Sequence, residues 1–449
     1  MMEKNRYRKA KLLVIITLLV NSFAMAQTTN EFSAKHAVDY GLKNAYQVKN
    51  ALLDVLIQEQ SNRDITSAAY PQISPTGSFT DYLNIPTTLL PGEIIGQPAG
   101  TFTPVKFGTK YGASGGISLT QILFDGQVFV GLQARKTSID ARRKAAEVTQ
   151  ENIKANIYKI YYQLVVGKTQ IDLLDANIER LKKLDHDTRE IYKNGFAEKL
   201  DVDKLTVQIA NLETEKLKAL NSIANGYSGL KVLMGMPVKD SLVLIDSLSE
   251  AQIKENILET TDYKYTDRKE YQSLELNQKL NEFNIKRYRL SQVPVLSFNA
   301  NYSKQAQRSD FDFFKKGGDW FTTSYIGLNL SIPIFKGFST KAKIAQSRLE
   351  LQQTTNQLEG LKISIDNDVV VARNNFLTAT ATMDYQKKNM SLAELVYEQT
   401  KKKFEVGTGN STEINTAQVD LKTAQTNYIS SLYDAIIARI DFLKAVGKL

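Results

Sequence analysis

The sequence predicts a mainly α-helical protein with a smaller β part, built as an internal two-fold repeat. Proline occurs at only nine positions, and none lies within residues 105–236 or 334–449, so long stretches contain nothing that breaks a helix. Four segments alternate apolar and polar residues as amphipathic strands do. Landmark residues recur in the same order in both halves, which predicts two copies of one structural unit.

The N-terminus carries a basic stretch, an apolar run and small residues, in that order. Leu12–Val20 follows five Lys and Arg residues, and Ala24 and Ala26 come next with the spacing of a cleavage site. This order predicts a cleaved secretory signal peptide over residues 1–26. The apolar run is only about half the length that a transmembrane helix needs. The mature chain is therefore predicted to be exported.

The composition argues against several functional classes. The formal net charge of the whole sequence is +9, but its basic residues do not cluster beside a nucleic-acid reader motif, so no nucleic-acid partner is expected. There is no cysteine, and the two histidines, His36 and His186, lie far apart, so no metal site is expected. No Ser/His/Asp grouping or phosphate-binding loop is evident. We predict that the protein is not an enzyme and carries no cofactor.

The first copy is predicted over residues 27–235. Its first strand carries Phe79 and Leu83 on the apolar phase, with Asp81 as an exception on the same phase. The Pro- and Gly-rich residues 84–108 are predicted to form an exposed loop without regular structure. The predicted elements of this copy are a helix over 33–69, strands over about 72–84 and 112–124, a long helix over 127–193 and a helix over 198–232.

The second copy is predicted over residues 268–449, after an inter-repeat linker at 236–267. Its predicted elements are a helix, strands over about 295–304 and 323–334, a long helix over 338–405 and a helix over 412–446. Each strand is roughly as long as a tilted strand that crosses a bilayer. The alternation fits a half-exposed strand of a soluble sheet equally well. The loop between the strands favours the membrane, because its aromatic residues resemble an interfacial belt: Phe311, Phe313, Phe314, Trp320 and Phe321.

Both long helices carry apolar heptad seams. In the second, Ile365, Val369 and Ala372 begin a series of alternating steps of four and three that continues to Phe404. The first shows the same spacing from Ile157 to Leu181. Each long helix would measure about 100 Å, which is too long for a single globular core. The seams therefore predict helices packed side by side in a wall.

Constant offsets define the internal repeat. Leu119–Gly126 matches Leu330–Gly337 at an offset of 211, and Gly195 matches Gly407 at 212. Pro71 and Pro294 are 223 residues apart, so the strand–loop–strand part of the first copy is longer by about a dozen residues. The chain is thus predicted to contain four strands, two from each copy.

Four strands cannot span a membrane alone, because lipid offers no hydrogen-bonding partner to two open sheet edges. Two copies of the chain would give eight strands, and side chains would fill the interior of such a barrel; three copies give twelve and leave room for a pore. We therefore predict a homotrimer that shares one barrel in outer-membrane lipid, with the helices continuing it as a tube in the periplasm.

The mature chain resembles the TolC-like outer-membrane efflux family over essentially its whole length. The resemblance is carried by the strand starts Tyr70–Ser74 and Val293–Ser297, the junctions ending at Gly126 and Gly337, and the turns Tyr192–Gly195 and Phe404–Gly407. It implies a 12-stranded trimeric outer-membrane β-barrel with a periplasmic α-helical barrel. It also implies docking to a periplasmic adaptor (membrane fusion) protein and an inner-membrane pump, as a passive exit duct for efflux or type I secretion whose cargo the pump selects.

The resemblance places the periplasmic entrance, or gate, at the helix turns. Asp201 and Glu413 would form rings of carboxylates around a threefold axis, or act locally as acids at helix N-termini. Gly409 and Thr416 depart from the family pattern, in which a basic and a second acidic residue occur. Helix-ending glycines in left-handed conformation also fit the turns. The entrance candidates are Gly195, Asp201, Phe404, Gly407 and Glu413.

A periplasmic coiled-coil adaptor or structural tether without a pore is the alternative function. It would explain the heptad seams but would leave the amphipathic strands and their aromatic loop without a role. The carboxylates of Asp366 and Asp368, which lie on a predicted helix, are interpreted as solvated or pore-lining charge.

Overall fold

The computed structural model describes residues 31–247, 250–254 and 263–449, and the predicted signal peptide at 1–26 lies outside this part of the chain. The described residues group into two compact units. Among the described residues, one unit comprises 31–54, 143–247, 250–254, 263–273 and 358–449, and the other comprises 55–142 and 274–357. Each unit therefore takes residues from both copies of the repeat.

Helices dominate the described residues. Each of the two long helices is followed by a turn and a helix about half as long. The helices are α1 (Ala34–Asn44), α2 (Tyr46–Ser67), α3 (Gly126–Lys193), α4 (Lys199–Met234), α5 (Glu250–Lys254), α6 (Lys269–Leu290), α7 (Ser339–Glu405) and α8 (Ser411–Ala445). The strands are β1 (Glu31–Phe32), β2 (Gln72–Asp81), β3 (Thr87–Pro91), β4 (Phe102–Lys106), β5 (Tyr111–Phe124), β6 (Val243–Leu244), β7 (Val295–Arg308) and β8 (Phe321–Ser331).

The helix predicted over residues 33–69 is divided into α1 and α2 at Ala45, where the backbone turns extended at ψ 129°. The division occurs where the chain packs against Gly235. A Cβ atom on Gly235 would lie 2.3 Å from the carbonyl oxygen of Asn44. The missing side chain of Gly235 thus allows the two backbones to touch, and this contact over a long sequence separation leaves no signal in the helical pattern.

Four strands form one antiparallel sheet in the order β2–β5–β7–β8. The strands β2 and β8 are its edges. The strand β7 is longer than predicted and extends to Arg308, whereas β8 starts earlier than predicted, at Phe321, and ends earlier, at Ser331. A bulge between Ile122 and Phe124 interrupts the ladder between β5 and β7.

The segment 84–108, which we expected to lack regular structure, contains the antiparallel hairpin of β3 and β4, and this expectation was wrong. A short 3₁₀ turn at Gly92–Ile95 caps the hairpin. The prolines were misleading because Pro91 and Pro104 lie in the two strands of a two-stranded hairpin. Each strand there pairs on one side, so the N–H group that proline lacks is not needed for a hydrogen bond to a second neighbouring strand. The flanking Thr, Leu, Val and Phe residues supply the β propensity.

Both heptad seams are buried in the unit that contains the helix turns. Ile365, Val369 and Phe376 of α7 pack in one apolar cluster with residues of α8, including Leu432 and Ile436. The matching seam of α3, from Ile157 to Leu181, supplies two further clusters. The prediction that these seams pack helix against helix is therefore confirmed.

The linker between the copies is anchored by polar contacts. The carboxylate of Glu250 on α5 lies 2.9 Å from the ammonium of Lys387 and accepts the hydroxyl hydrogen of Tyr428. These two hydrogen bonds, chiefly that from Tyr428, hold the pKa of Glu250 below its usual value. Lys254 pairs with Asp384 at 2.6 Å, one helical turn along α5.

Asp366 and Asp368, which we interpreted as solvated or pore-lining charge, also have partners at the end of the linker, while the Asp368 side chain remains 46% exposed. The hydroxyls of Tyr263 and Tyr265 donate to Asp366 at 2.6 and 3.1 Å. The hydrogen bond to this carboxylate raises the pKa of Tyr263 to about 12. Asp368 lies 3.7 Å from the buried guanidinium of Arg268. Both acids therefore hold the end of the linker, and their partners lie too far away in sequence for the helical pattern to reveal them.

Candidate functional site: the helix turns and the amphipathic sheet

Two equivalent turns end the long helices. At the first, Gly195 has φ +80° and the N–H of Phe196 donates to the carbonyl of Ile191 at 3.0 Å. At the second, Gly407 has φ +74° and the N–H of Thr408 donates to the carbonyl of Lys403 at 3.0 Å. This is the hydrogen-bonding pattern of a glycine C-cap. The prediction of left-handed, helix-ending glycines is confirmed.

The two entrance carboxylates have local partners. Glu413 is the third residue of α8: its N–H donates to Asn410 Oδ1 at 2.9 Å, and the Asn410 amide donates back to Glu413 Oε1 at 3.1 Å. Asp201 lies in the first turn of α4, 3.8 Å from the ammonium of Lys204. The local role at a helix N-terminus is therefore present in the chain, and the carboxylate ring remains a prediction.

A cleft of about 310 Å³ lies beside the turns, between α3, α7 and α8. Phe404 lines it with Tyr397 and Ile414, and the Arg180 guanidinium lies 5.7 Å from the centre of the Tyr397 ring. Acidic and basic side chains alternate at its rim, among them Glu190, whose pKa is lowered by a hydrogen bond with Lys193. Such a mixed surface suits a charged, amphipathic helical partner.

A buried amide network joins α3 to α8. The side chain of Asn177 donates to Gln425 Oε1 at 2.9 Å and accepts from Gln418 Nε2 at 2.9 Å. The three residues are almost entirely buried. Buried amides in a helix seam fix the register of the helices, because any shift leaves them unpaired. Sequence reasoning missed this network, although Gln418 and Gln425 follow one another at a heptad interval.

The register of the four-stranded sheet separates two chemically different faces. Residues directly opposite one another share a face. On one face Phe298 pairs with Leu328 and Ala300 with Ile326. The other face carries mainly Ser, Thr, Asn, Gln and Gly, as in the hydrogen-bonded pair Ser78 and Ser114 at 2.8 Å, together with Phe321 and Tyr325 of β8. Within the strand segments this polar face bears no charged side chain, and the apolar side chains of β8 are exposed.

The aromatic residues of the loop between β7 and β8 meet the apolar face. Phe311 packs edge-on against Phe79 and Tyr111, with ring centres 5.6 and 5.8 Å apart. Phe313 contacts Phe79 at 5.8 Å and Trp320 at 6.3 Å. Asp81, the exception on the apolar phase, is the last residue of β2 and pairs with Tyr111.

Two of the belt candidates stand apart from the centre of this cluster. Phe314 is 90% exposed and meets the edge of Phe311, with ring centres 6.2 Å apart. Phe321 pairs with Gln305, so it belongs to the polar face and does not join the other four aromatic residues. Its place in the sequence beside Trp320 carries no information on which face of the strand it occupies.

Within the described residues, no group of His, Cys, Asp or Glu side chains could hold a metal ion. Over the same part of the chain, none of the helices combines the length and the apolarity required to cross a membrane.

Comparison with known proteins agrees with this geometry. The family model for outer membrane efflux proteins matches residues 267–448. The chain is 23% identical to the outer membrane efflux protein BepC of Brucella suis biovar 1 over 448 residues, covering 98% of this chain and 90% of that protein. It is 21% identical to the outer membrane protein TolC of Vibrio cholerae serotype O1 over 343 residues, covering 75% of this chain and 77% of that protein.

Solved structures share the fold. The outer membrane protein VceC of Vibrio cholerae superposes with a TM-score of 0.72 at 14% identity, over 92% of this chain and 96% of that chain. The CmeC outer membrane channel of Campylobacter jejuni gives 0.74 at 17% identity, over 92% and 85%. The fold is thus that of outer-membrane channels. Residues 267–448 thus match the outer membrane efflux protein family, and the similarity to BepC and TolC extends over most of the chain.

Proposed function

We propose that this chain is one subunit of a homotrimeric outer-membrane exit duct that serves a tripartite efflux or type I secretion assembly. The duct is a passive conduit and performs no chemistry. The observation that carries this proposal is the four-stranded sheet, with its apolar face, its uncharged polar face and its two free edges. The family and fold support it, because they are those of channels.

The free edges require other chains. In a bilayer the unpaired N–H and C=O groups of β2 and β8 would have no partner, so β2 of one copy pairs with β8 of the next. Closure with the apolar face outward places Phe298 and Leu328 against lipid and the Ser, Thr and Asn side chains around water. Three copies give twelve strands, about the number at which a barrel holds an open lumen.

A second apolar stripe on α7 supports association of several chains. Ile363, Val370, Leu377, Tyr385 and Leu392 recur at intervals of seven or eight residues, and each is between 42% and 71% exposed. They lie on a different side of α7 from the buried seam of Ile365 and Phe376. A helix with two apolar stripes packs against neighbours on two sides. In the trimer, a helix of another copy covers the second stripe.

We assign the periplasmic entrance to the two turns and their cleft, as the site where a periplasmic adaptor and an inner-membrane pump engage the duct. Asp201 and Glu413 are proposed to stand around the threefold axis. Glu413→Gln tests this role, because it removes charge and keeps the acceptor for the Asn410 amide. We expect a lower ratio of cation to anion permeability in planar bilayers, with unchanged trimer stability. An unchanged ratio would leave Glu413 with its local role only.

The central experiment combines fractionation with a pair of variants in β8. The protein is expected in detergent extracts of outer membranes, as a trimer by native mass spectrometry, and as ion-conducting pores in planar bilayers. Leu328 and Asn329 are adjacent but lie on opposite faces of the sheet. Leu328→Lys places charge in lipid at a cost of about 2–4 kcal/mol per copy and should reduce membrane assembly strongly. Asn329→Lys should assemble normally and shift ion selectivity towards anions.

Two results would contradict the proposal. If wild-type protein fractionates as a soluble periplasmic monomer, the adaptor or tether function is favoured. If Leu328→Lys and Asn329→Lys assemble equally well, the apolar face does not meet lipid, and the barrel topology is wrong.

A further inference from the structure

The base of the β3–β4 hairpin lies beside the polar face of the sheet. The ribbon of β2 and β5 continues as far as the bond from the N–H of Tyr82 to the carbonyl of Lys110, at 2.8 Å, and β3 and β4 follow beyond it. A cavity of about 300 Å³ separates the base of the hairpin from the sheet. Its lining combines Ile85 and Phe107 of the hairpin base with polar-face residues such as Ser114 and Gln305. The chain therefore bends towards the polar face.

The loop between β7 and β8 lies on the apolar face of the sheet. Phe311 and Phe313 contact Phe79, which belongs to the apolar face. The β3–β4 hairpin and the loop between β7 and β8 leave the same end of the sheet. The connections from β2, β5, β7 and β8 to their neighbouring helices all lie at the other end. The hairpin is therefore directed to the polar face and the loop to the apolar face.

The hairpin presents an apolar surface that nothing in the described residues covers. Leu89 pairs with Pro104, and Pro91 with Phe102, on one face of the ribbon. Leu89 and Phe102 are 61% and 62% exposed, and Ile94 at the tip is 69% exposed. We call this set, with Ile95, the hairpin patch. A contiguous exposed apolar surface of this kind marks an interaction site.

The tip is held in a defined shape. The N–H of Gly92 donates to the carbonyl of Thr101 at 2.7 Å, and the Thr103 hydroxyl donates to Gln97 Oε1 at 3.1 Å. A Cβ atom on Gly92 would lie 2.0 Å from Thr101 Oγ1 and 2.9 Å from Gln97 Cβ, so a side chain there would displace these two neighbours. The apolar residues Ile94 and Ile95 are thus presented by an ordered turn.

The proposed function limits what can cover the hairpin patch, and the inference rests on that proposed function. If the apolar face of the sheet meets lipid, the polar face encloses the lumen, and an element on the polar face lies inside the ring. Inside the lumen, the protein surface that the hairpin patch can reach belongs to the other copies of the chain. We propose that the hairpins of the three copies pack together through the hairpin patch and narrow the outer mouth of the pore. Their partner is a second copy of the same hairpin.

The chain has no cysteine, so a single introduced thiol reports on this contact directly. Ile94→Cys in the intact trimer should form disulfide-linked dimers on mild oxidation, seen on non-reducing gels and reversed by reductant. Phe314→Cys is the matched control, since Phe314 is even more exposed but lies on the loop of the apolar face. It should stay monomeric on the same gels.

A conductance measurement gives an independent readout. Replacing Leu89, Ile94 and Phe102 together by Ser should leave trimer yield unchanged and raise single-channel conductance about twofold or more, because an apolar constriction that excludes water is removed. Leu83→Ser, at an exposed residue outside the ladder of the hairpin, should leave the conductance unchanged.

The outcomes separate the two proposals. An intact, conducting trimer in which Ile94→Cys gives no dimers and the triple variant conducts as wild type would overturn the hairpin contact alone. Absence of trimers and of pores in the wild-type protein would instead refute the exit duct, and with it the basis of the hairpin contact.

Discussion

Gly235 and Gly195 form a matched pair for testing how a glycine turn stabilises this fold. Both have a left-handed backbone, at φ +73° and +80°. They differ in their surroundings. A Cβ atom on Gly235 would lie 2.3 Å from the carbonyl oxygen of Asn44 and 3.1 Å from the Cα of Ala45, whereas nothing lies within 4 Å of one on Gly195. Substitution by Ala therefore separates backbone strain from the close approach of two chain segments.

The expected costs follow from these distances. An L-residue in the left-handed region costs roughly 1–2 kcal/mol, and this term applies to both variants. Gly235→Ala also forces backbone atoms apart, which adds about 1–3 kcal/mol as in an overpacked core. The difference of about 2 kcal/mol corresponds to roughly a thirtyfold change in the local opening equilibrium.

Hydrogen exchange by mass spectrometry measures that equilibrium. In Gly235→Ala the amides of α1 (Ala34–Asn44), which pack against the end of α4, should exchange faster by this factor. In Gly195→Ala their exchange should match wild type, with only a modest loss of thermal stability. Equal exchange of α1 in both variants would refute the argument that contact with Asn44, and not φ alone, makes glycine necessary at residue 235.

Three further predictions concern the turns and the helix contacts. Gly407→Val should reduce export with normal trimer yield, because a β-branched residue at φ +74° distorts the entrance; unchanged export would contradict this. Tyr428→Phe removes the main hydrogen bond that lowers the pKa of Glu250. An acid with a lowered pKa stabilises the fold above its unfolded pKa, so the variant should lose about 1 kcal/mol of stability at pH 7. Acidification through the lowered pKa of Glu250 should abolish the difference in melting temperature between the variant and wild type. Asn177→Ala should cost about 2–4 kcal/mol, because two buried glutamine amides lose their partner; a thermal melt like that of wild type would show that the network is not stabilising.

Regular periodic patterns in the sequence predicted most of the fold. The heptad spacing from Ile365 onwards identified both the helix and its buried face, since 3.6-residue periodicity depends only on neighbours along the chain. Alternation in β7 and β8 similarly identified the apolar face. The hairpin in 84–108 was missed because Pro and Gly weigh heavily in local propensity, whereas Thr87 pairs with Lys106 across nearly twenty residues.

The candidate site was predicted less completely. The role of Gly195 and Gly407 was predicted correctly because a glycine that follows a long helix commonly ends it in the left-handed conformation. The amide network of Asn177 was not, because its partners lie more than two hundred residues away in sequence. Phe321 was grouped with the aromatic loop by proximity in the sequence, while strand register assigned it to the polar face.

The sequence by itself determined the helical stretches, the strand faces, the repeat and the glycine turns, since each depends on residues within a few positions or on a constant offset. Only the tertiary structure decided which side of the sheet the β3–β4 hairpin occupies and how Asp366 holds the linker. It also decided why Gly235 must lack a side chain. These features arise from contacts between distant segments, and a local pattern carries no record of which distant backbone or side chain will lie beside it.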